Sequence, residues 1–90
     1  MGTMNCDDFS NLNISIDILT DKEMKLYGGG DKEGNNIFVN SITVPALDEP
    51  QNIILSCSTT ELDTFYCRIV LTSLNSTTYV DNLCIYIHKR

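Results

Sequence analysis

The chain has 90 residues, 42% of them hydrophobic, with no Trp and a formal net charge of −6. That is enough for one domain, and a chain of this size buries only about 60% of the surface its unfolded form exposes. Six Lys and Arg against twelve Asp and Glu argue against a partner that is nucleic acid, which is bound by clustered cations. No apolar run approaches the roughly 18 residues of a membrane span, and no basic-then-apolar signal segment opens the chain, so no membrane partner is expected.

Residues 1–10 lack periodicity and are expected as a flexible tail, with Met1-Gly2-Thr3 ahead of Met4 reading as a cloning remnant. Residues 11–90 are then a single β domain. Leu12, Ile14, Ile16 and Ile18 alternate with Asn13, Ser15 and Asp17, the pattern of a half-buried strand. Thr20-Asp21-Lys22-Glu23 ends it, and a short strand follows near residues 24–27. Residues 28–36 hold four Gly and are expected as a long flexible loop. Strand character resumes over residues 37–44 and stops at Pro45, which has no N–H to give to a ladder.

The last third carries three apolar runs, residues 52–58, 65–72 and 79–88, separated by polar turns. They read as a C-terminal meander. A three-residue loop at Asn75-Ser76-Thr77 sets Phe65, Cys67 and Ile69 opposite Ile87, Ile85 and Leu83. The other face of that hairpin carries Tyr66 opposite Tyr86 and Arg68 opposite Cys84. A similar loop at Glu61-Leu62-Asp63 sets Cys57 opposite Cys67. The fold class expected is therefore all-β, a small antiparallel β-sandwich or jelly-roll-like domain of about six strands.

Candidate chemistry is sparse. Cys57 and Cys67 are candidates for a cross-strand disulfide in an oxidising compartment, the alternative being two buried thiols packed as hydrophobes. The absence of a signal segment favours a cytoplasmic over a secreted location, although Asn13-Ile14-Ser15 and Asn75-Ser76-Thr77 are glycosylation triplets. The four Cys are too widely spaced for a structural zinc site. Asp31, Glu33 and Asn35 alternate across the Gly-rich segment and offer oxygen atoms of the kind calcium takes, but in spacing unlike an EF-hand loop. Asp48-Glu49, Glu61 and Asp63 lie in turns, so no catalytic constellation emerges, no enzyme is expected, and no cofactor or metal is implied. The outward face of the last hairpin would gather Tyr66, Arg68, Tyr86 and His88 into an aromatic and cationic patch of the kind enriched at interfaces.

Two segments bear a resemblance to known families. Residues 79–86, Tyr-Val-Asp-Asn-Leu-Cys-Ile-Tyr, resemble the closing strand of jelly-roll carbohydrate-binding modules, which implies a sugar ligand. Tyr27 followed by six residues and Gly34 resembles the hairpin of βγ-crystallin motifs, which implies calcium, with Asn36 standing where that motif carries Ser. From the residues themselves the expectation is a non-catalytic binding module acting through protein–protein interaction and self-association, with Tyr66, Arg68, Tyr86, His88, Asp31, Glu33 and Asn35 as contacts. The alternatives are a small acidic viral or phage-type inhibitor docking on a basic host surface, and a carbohydrate-binding module.

Overall fold

The computed structural model describes residues 3–7 and 9–89 and is all-β. Seven strands follow in order: β1 Thr3–Asn5, β2 Phe9–Thr20, β3 Met24–Lys32, β4 Asn35–Val44, β5 Gln51–Ser58, β6 Thr64–Leu71 and β7 Thr78–Lys89. They form a four-stranded sheet in the order β1-β6-β3-β4 and a three-stranded sheet in the order β5-β2-β7, with every pairing antiparallel.

The alternation in β2 places Leu12, Ile14, Ile16 and Ile18 inward, all fully buried, because a period of two sends every second side chain to one face. Ile53, Leu55 and Cys57 of β5 continue that inner layer. From the other sheet Met24, Leu26, Phe65, Cys67 and Val44 complete the core. Each such burial stabilises by about 1.5–3 kcal/mol, the scale at which a small domain overcomes its chain entropy.

Only β3 and β4 form a hairpin, and every other pair of consecutive strands crosses from one sheet to the other. This corrects the expected meander. β5 and β7 lie in the three-stranded sheet and β6 between β1 and β3 in the other. Periodicity reveals which face of a strand is apolar but not which strand lies beside it, so a cross-sheet sequence and a meander share one pattern. The crossing after β5 is pinned at several points: Thr59 N–H donates to Ser10 O at 2.8 Å, Thr59 Oγ1–H to Phe9 O at 3.0 Å, and Asp63 N–H to Asp31 O at 2.8 Å.

Two further expectations change. The residues read as an N-terminal tail supply β1, paired with β6, and Cys6 and Phe9 belong to the core. The remnant reading falls, for Met1 and Gly2, outside the described residues. The Gly-rich stretch is not a loop, since Gly28, Gly29 and Gly30 pair on both sides within β3. A methyl at Gly28 would lie 2.6 Å from Cys57 Sγ, reaching in from the opposite sheet, so this glycine permits the close approach of the layers. The turn shrinks to Glu33 and Gly34, both at positive φ, as a two-residue hairpin demands.

The sandwich is closed on one side and open on the other. Along the closed side β5 runs against β4, where Asn40 Nδ2 donates to Ser56 O at 2.9 Å. On the opposite side the edge strands are β7 and β1, and β1 spans only three residues. The radius of gyration of 13.6 Å exceeds the about 12 Å of a compact chain of this length, and the extents are 39 × 24 × 17 Å.

Ile18 and Val80 are directly paired across β2 and β7, yet Ile18 is fully buried and Val80 is 47% exposed. Ile18→Ala is expected to cost about 2–5 kcal/mol and Val80→Ala less than about 1 kcal/mol, read from urea unfolding midpoints. Equal costs would mean that β7 is covered in solution.

Candidate functional site: the open side and its edge strand

β7 pairs with β2 along one edge and with no other described strand along its second, over 12 residues. Its register contains a bulge: Ser15 pairs with Cys84 and Asp17 with Asp81, so Asn82 and Leu83 together face Ile16. Asn82 takes φ 52°, in the left-handed region that Asn tolerates better than most residues.

The extra residue resets parity. Val80, Leu83, Ile85 and Ile87 all come to the inner side, in line with Ile18, Ile16, Ile14 and Leu12 of β2. Whereas the β2 row is fully buried, these four are 47%, 45%, 39% and 45% exposed. The stub β1 leaves them without an opposing layer, and Leu71 at the end of β6 is also exposed. Isolated exposed apolar residues are ordinary, whereas these four lie in one row along a single strand.

The bulge is held from the outer face. Asn82 Nδ2 donates to Asp17 Oδ2 at 2.8 Å and Asn52 Nδ2 to Asp17 Oδ1 at 3.0 Å, so one carboxylate ties all three strands of the sheet. These two hydrogen bonds, that from Asn82 being the larger influence, hold the Asp17 carboxyl below its ordinary value.

The expected patch does not assemble. Tyr66 and Arg68 lie on β6, whereas Tyr86 and His88 lie on β7 in the other sheet. Tyr86 and His88 are exposed on the outer face, paired with Asn13 and Asn11. Tyr66 joins a different cluster: the Arg68 guanidinium sits 4.2 Å over its ring, Tyr27 stacks at 6.1 Å, and Phe38 lies 5.4 Å from Tyr27. A methyl at Gly29 would meet the Tyr27 ring at 2.8 Å, so the ring fills the space which that glycine leaves on the sheet surface. Burial, then the neighbouring Tyr66, push the Tyr27 phenol above its ordinary value, with Arg68 opposing. The clustering of Tyr27 with Phe38 and Tyr66 is not legible in the sequence, because the loop expected over residues 28–36 separates Tyr27 from Phe38.

Asp31, Glu33 and Asn35 lie about the β3–β4 turn, with Asp31 paired to Asn36 and Lys32 to Asn35. The carboxylate engaged there is Asp63, which accepts from Glu33 N–H at 3.0 Å and from Lys32 Nζ at 3.3 Å; the Glu33 contact leads in holding its carboxyl below the ordinary value. Asp31 Oδ1 is buried with no hydrogen-bond partner among the described residues. Among the described residues no group of three or more His, Cys, Asp or Glu is placed to hold a metal ion. One surface depression of about 290 Å³ is ringed by Asn11, Asn13, Ser56, Ser58 and His88, and another of about 320 Å³ by Leu19, Thr20, Ala46, Leu47 and Tyr79.

Cys57 and Cys67 come from opposite sheets, which corrects their expected in-sheet pairing, and both are buried thiols. Desolvation, with Cys67 adding to it, pushes Cys57 up to about 11, and burial raises Cys67 too. Cys84 is exposed on the free edge strand. Comparison with known proteins found no matching family model, no similar curated protein and no similar solved structure.

Three outcomes follow. Alkylation of the native chain near neutral pH should modify Cys84 first, with Cys6, Cys57 and Cys67 reacting only after denaturation, as counted by intact mass. Because the folded state keeps the Cys57 thiol protonated beyond its ordinary range, its contribution to stability is full below about pH 9 and is lost as pH rises through about 11, which urea midpoints across that window would register. Asp17 has the opposite sign: its contribution is present above the ordinary carboxylate range and lost as pH falls through its lowered value. Asp17→Asn should flatten the acid limb of the stability profile and speed hydrogen exchange of the Asn82 side-chain amide.

Proposed function

We propose that this chain is a non-catalytic binding module that acts by protein–protein contact through the open side of its sandwich. The observation that carries the reading is the uncovered row of Val80, Leu83, Ile85 and Ile87 on a strand whose second edge pairs with nothing described. A free edge offers main-chain donors and acceptors, and an apolar row beneath it offers side-chain contacts, the two ingredients of strand addition. Residues 84–87, beyond the bulge, contain no Pro and no charge, two of the devices that usually protect an edge. The closed side contrasts with this, since Asn40 occupies a carbonyl of β5.

The carbohydrate alternative finds less support, because the Tyr66 ring is engaged by Arg68 and Tyr27 rather than open for stacking. The acidic-docking alternative rests on the net charge of −6 and differs in its response to salt.

Panning the folded protein against a random-peptide library tests the reading. Peptides with alternating apolar residues should be enriched on the native chain and lost on a Leu83→Asp/Ile87→Asp variant, with binding retained at high salt. Enrichment of basic peptides that vanishes with salt would replace this reading by charge-driven docking. Equal enrichment on the double variant would move the site elsewhere.

A further inference from the structure

β7 is close to self-complementary when read antiparallel to itself. With Ile85 on a two-fold axis, Leu83 falls opposite Ile87 of a second copy, Ile85 opposite Ile85, and Cys84 opposite Tyr86. Directly opposed residues share a face, so Leu83, Ile85 and Ile87 of both copies gather on the inner side and Cys84 and Tyr86 on the outer side. Counting the bulge at Asn82 as one position, Asp81 then arrives opposite His88, both on the outer face, a carboxylate acceptor against an imidazole donor. A symmetric pair centred on a residue works whichever alternate residues of β7 turn their N–H and C=O outward, because the axis passes through either type of antiparallel pair.

We infer that the partner of the β7 edge is a second copy of this chain, joined through an antiparallel β7–β7 ladder centred on Ile85. The inference rests on the edge reading above and names its occupant. The two three-stranded sheets would merge into one of six, in the order β5-β2-β7-β7-β2-β5, with both four-stranded sheets on the same side. The uncovered apolar rows of the two copies would lie side by side between them. The same contact covers most of the 12-residue free edge.

Two measurements test it. Sedimentation equilibrium of the unmodified chain, from low micromolar to several hundred micromolar, should give a reversible rise from 10.1 kDa to twice that mass. Ile85→Lys, placing two cations on the axis at a position already 39% exposed, should raise the dissociation constant at least about a hundredfold while leaving the circular dichroism unchanged. For the register, Ile85→Cys in a Cys84→Ser background brings two thiols together at a Cα spacing of about 4.5–5.5 Å, inside the disulfide window of about 4.4–6.8 Å. Oxidation should give a covalent dimer there and none with Tyr79→Cys in the same background. A strict monomer throughout would overturn the second copy while leaving the strand-addition reading to the peptide panning. A dimer that survives Ile85→Lys, or that cross-links equally through position 79, would overturn the β7 interface.

Discussion

Burial of the β2 row of Leu12, Ile14, Ile16 and Ile18 is the constraint to which the rest of this domain conforms. β2 is the central strand of the smaller sheet, and its apolar side chains require an opposing layer to leave water. Met24, Leu26, Phe65 and Cys67 supply that layer from the strands at the middle of the other sheet. Because Gly28 removes a side chain beneath Cys57, the layers meet closely where β5 crosses over β3. The aromatic cluster of Tyr27, Tyr66 and Phe38 then covers the sheet surface that the glycine run leaves bare.

The same arrangement accounts for what stays open. Layers of four and three strands match where β5 meets β4, but the far end of the larger sheet is β1, with three residues against the twelve of β7. An apolar row equal in character to that of β2 is thereby left partly in water. The bulge at Asn82 is central to this, since without its extra residue Val80 would face outward rather than extend the row. Asp17 holds the bulge while staying at the surface, where its charge remains hydrated.

Much of this was legible in the residues. Alternation in 12–18, 52–58 and 79–88 revealed strands and their apolar faces, and Pro45 marked the end of β4. Leu83, Ile85 and Ile87 were rightly placed on one face, but their expected burial depended on β6 as a neighbour. Neighbour identity is a long-range property that loop length constrains weakly, because five or six residues can close a hairpin or bridge two sheets. The glycine run misled for a different reason: in isolation it suggests freedom, whereas Gly28, Gly29 and Gly30 each lie against a side chain or a backbone carbonyl and Gly34, in the turn, has open space around it. For the site, Tyr86 and His88 were seen as exposed, while the uncovered row became visible only once β1 proved to be so short.

The ladder between β2 and β7 joins Thr20 to Thr78 and, at its far end, Phe9 to Lys89, nearly the full span of the chain. Loops of that length must close before their contacts contribute, so folding is expected on the slow side for a domain of this size. During synthesis β2 emerges early and waits for the strand made last of the seven. Until then its own edge, with a fully apolar row beneath it, faces whatever the cell provides, and crowding by sister chains at that stage favours mispairing as readily as assembly.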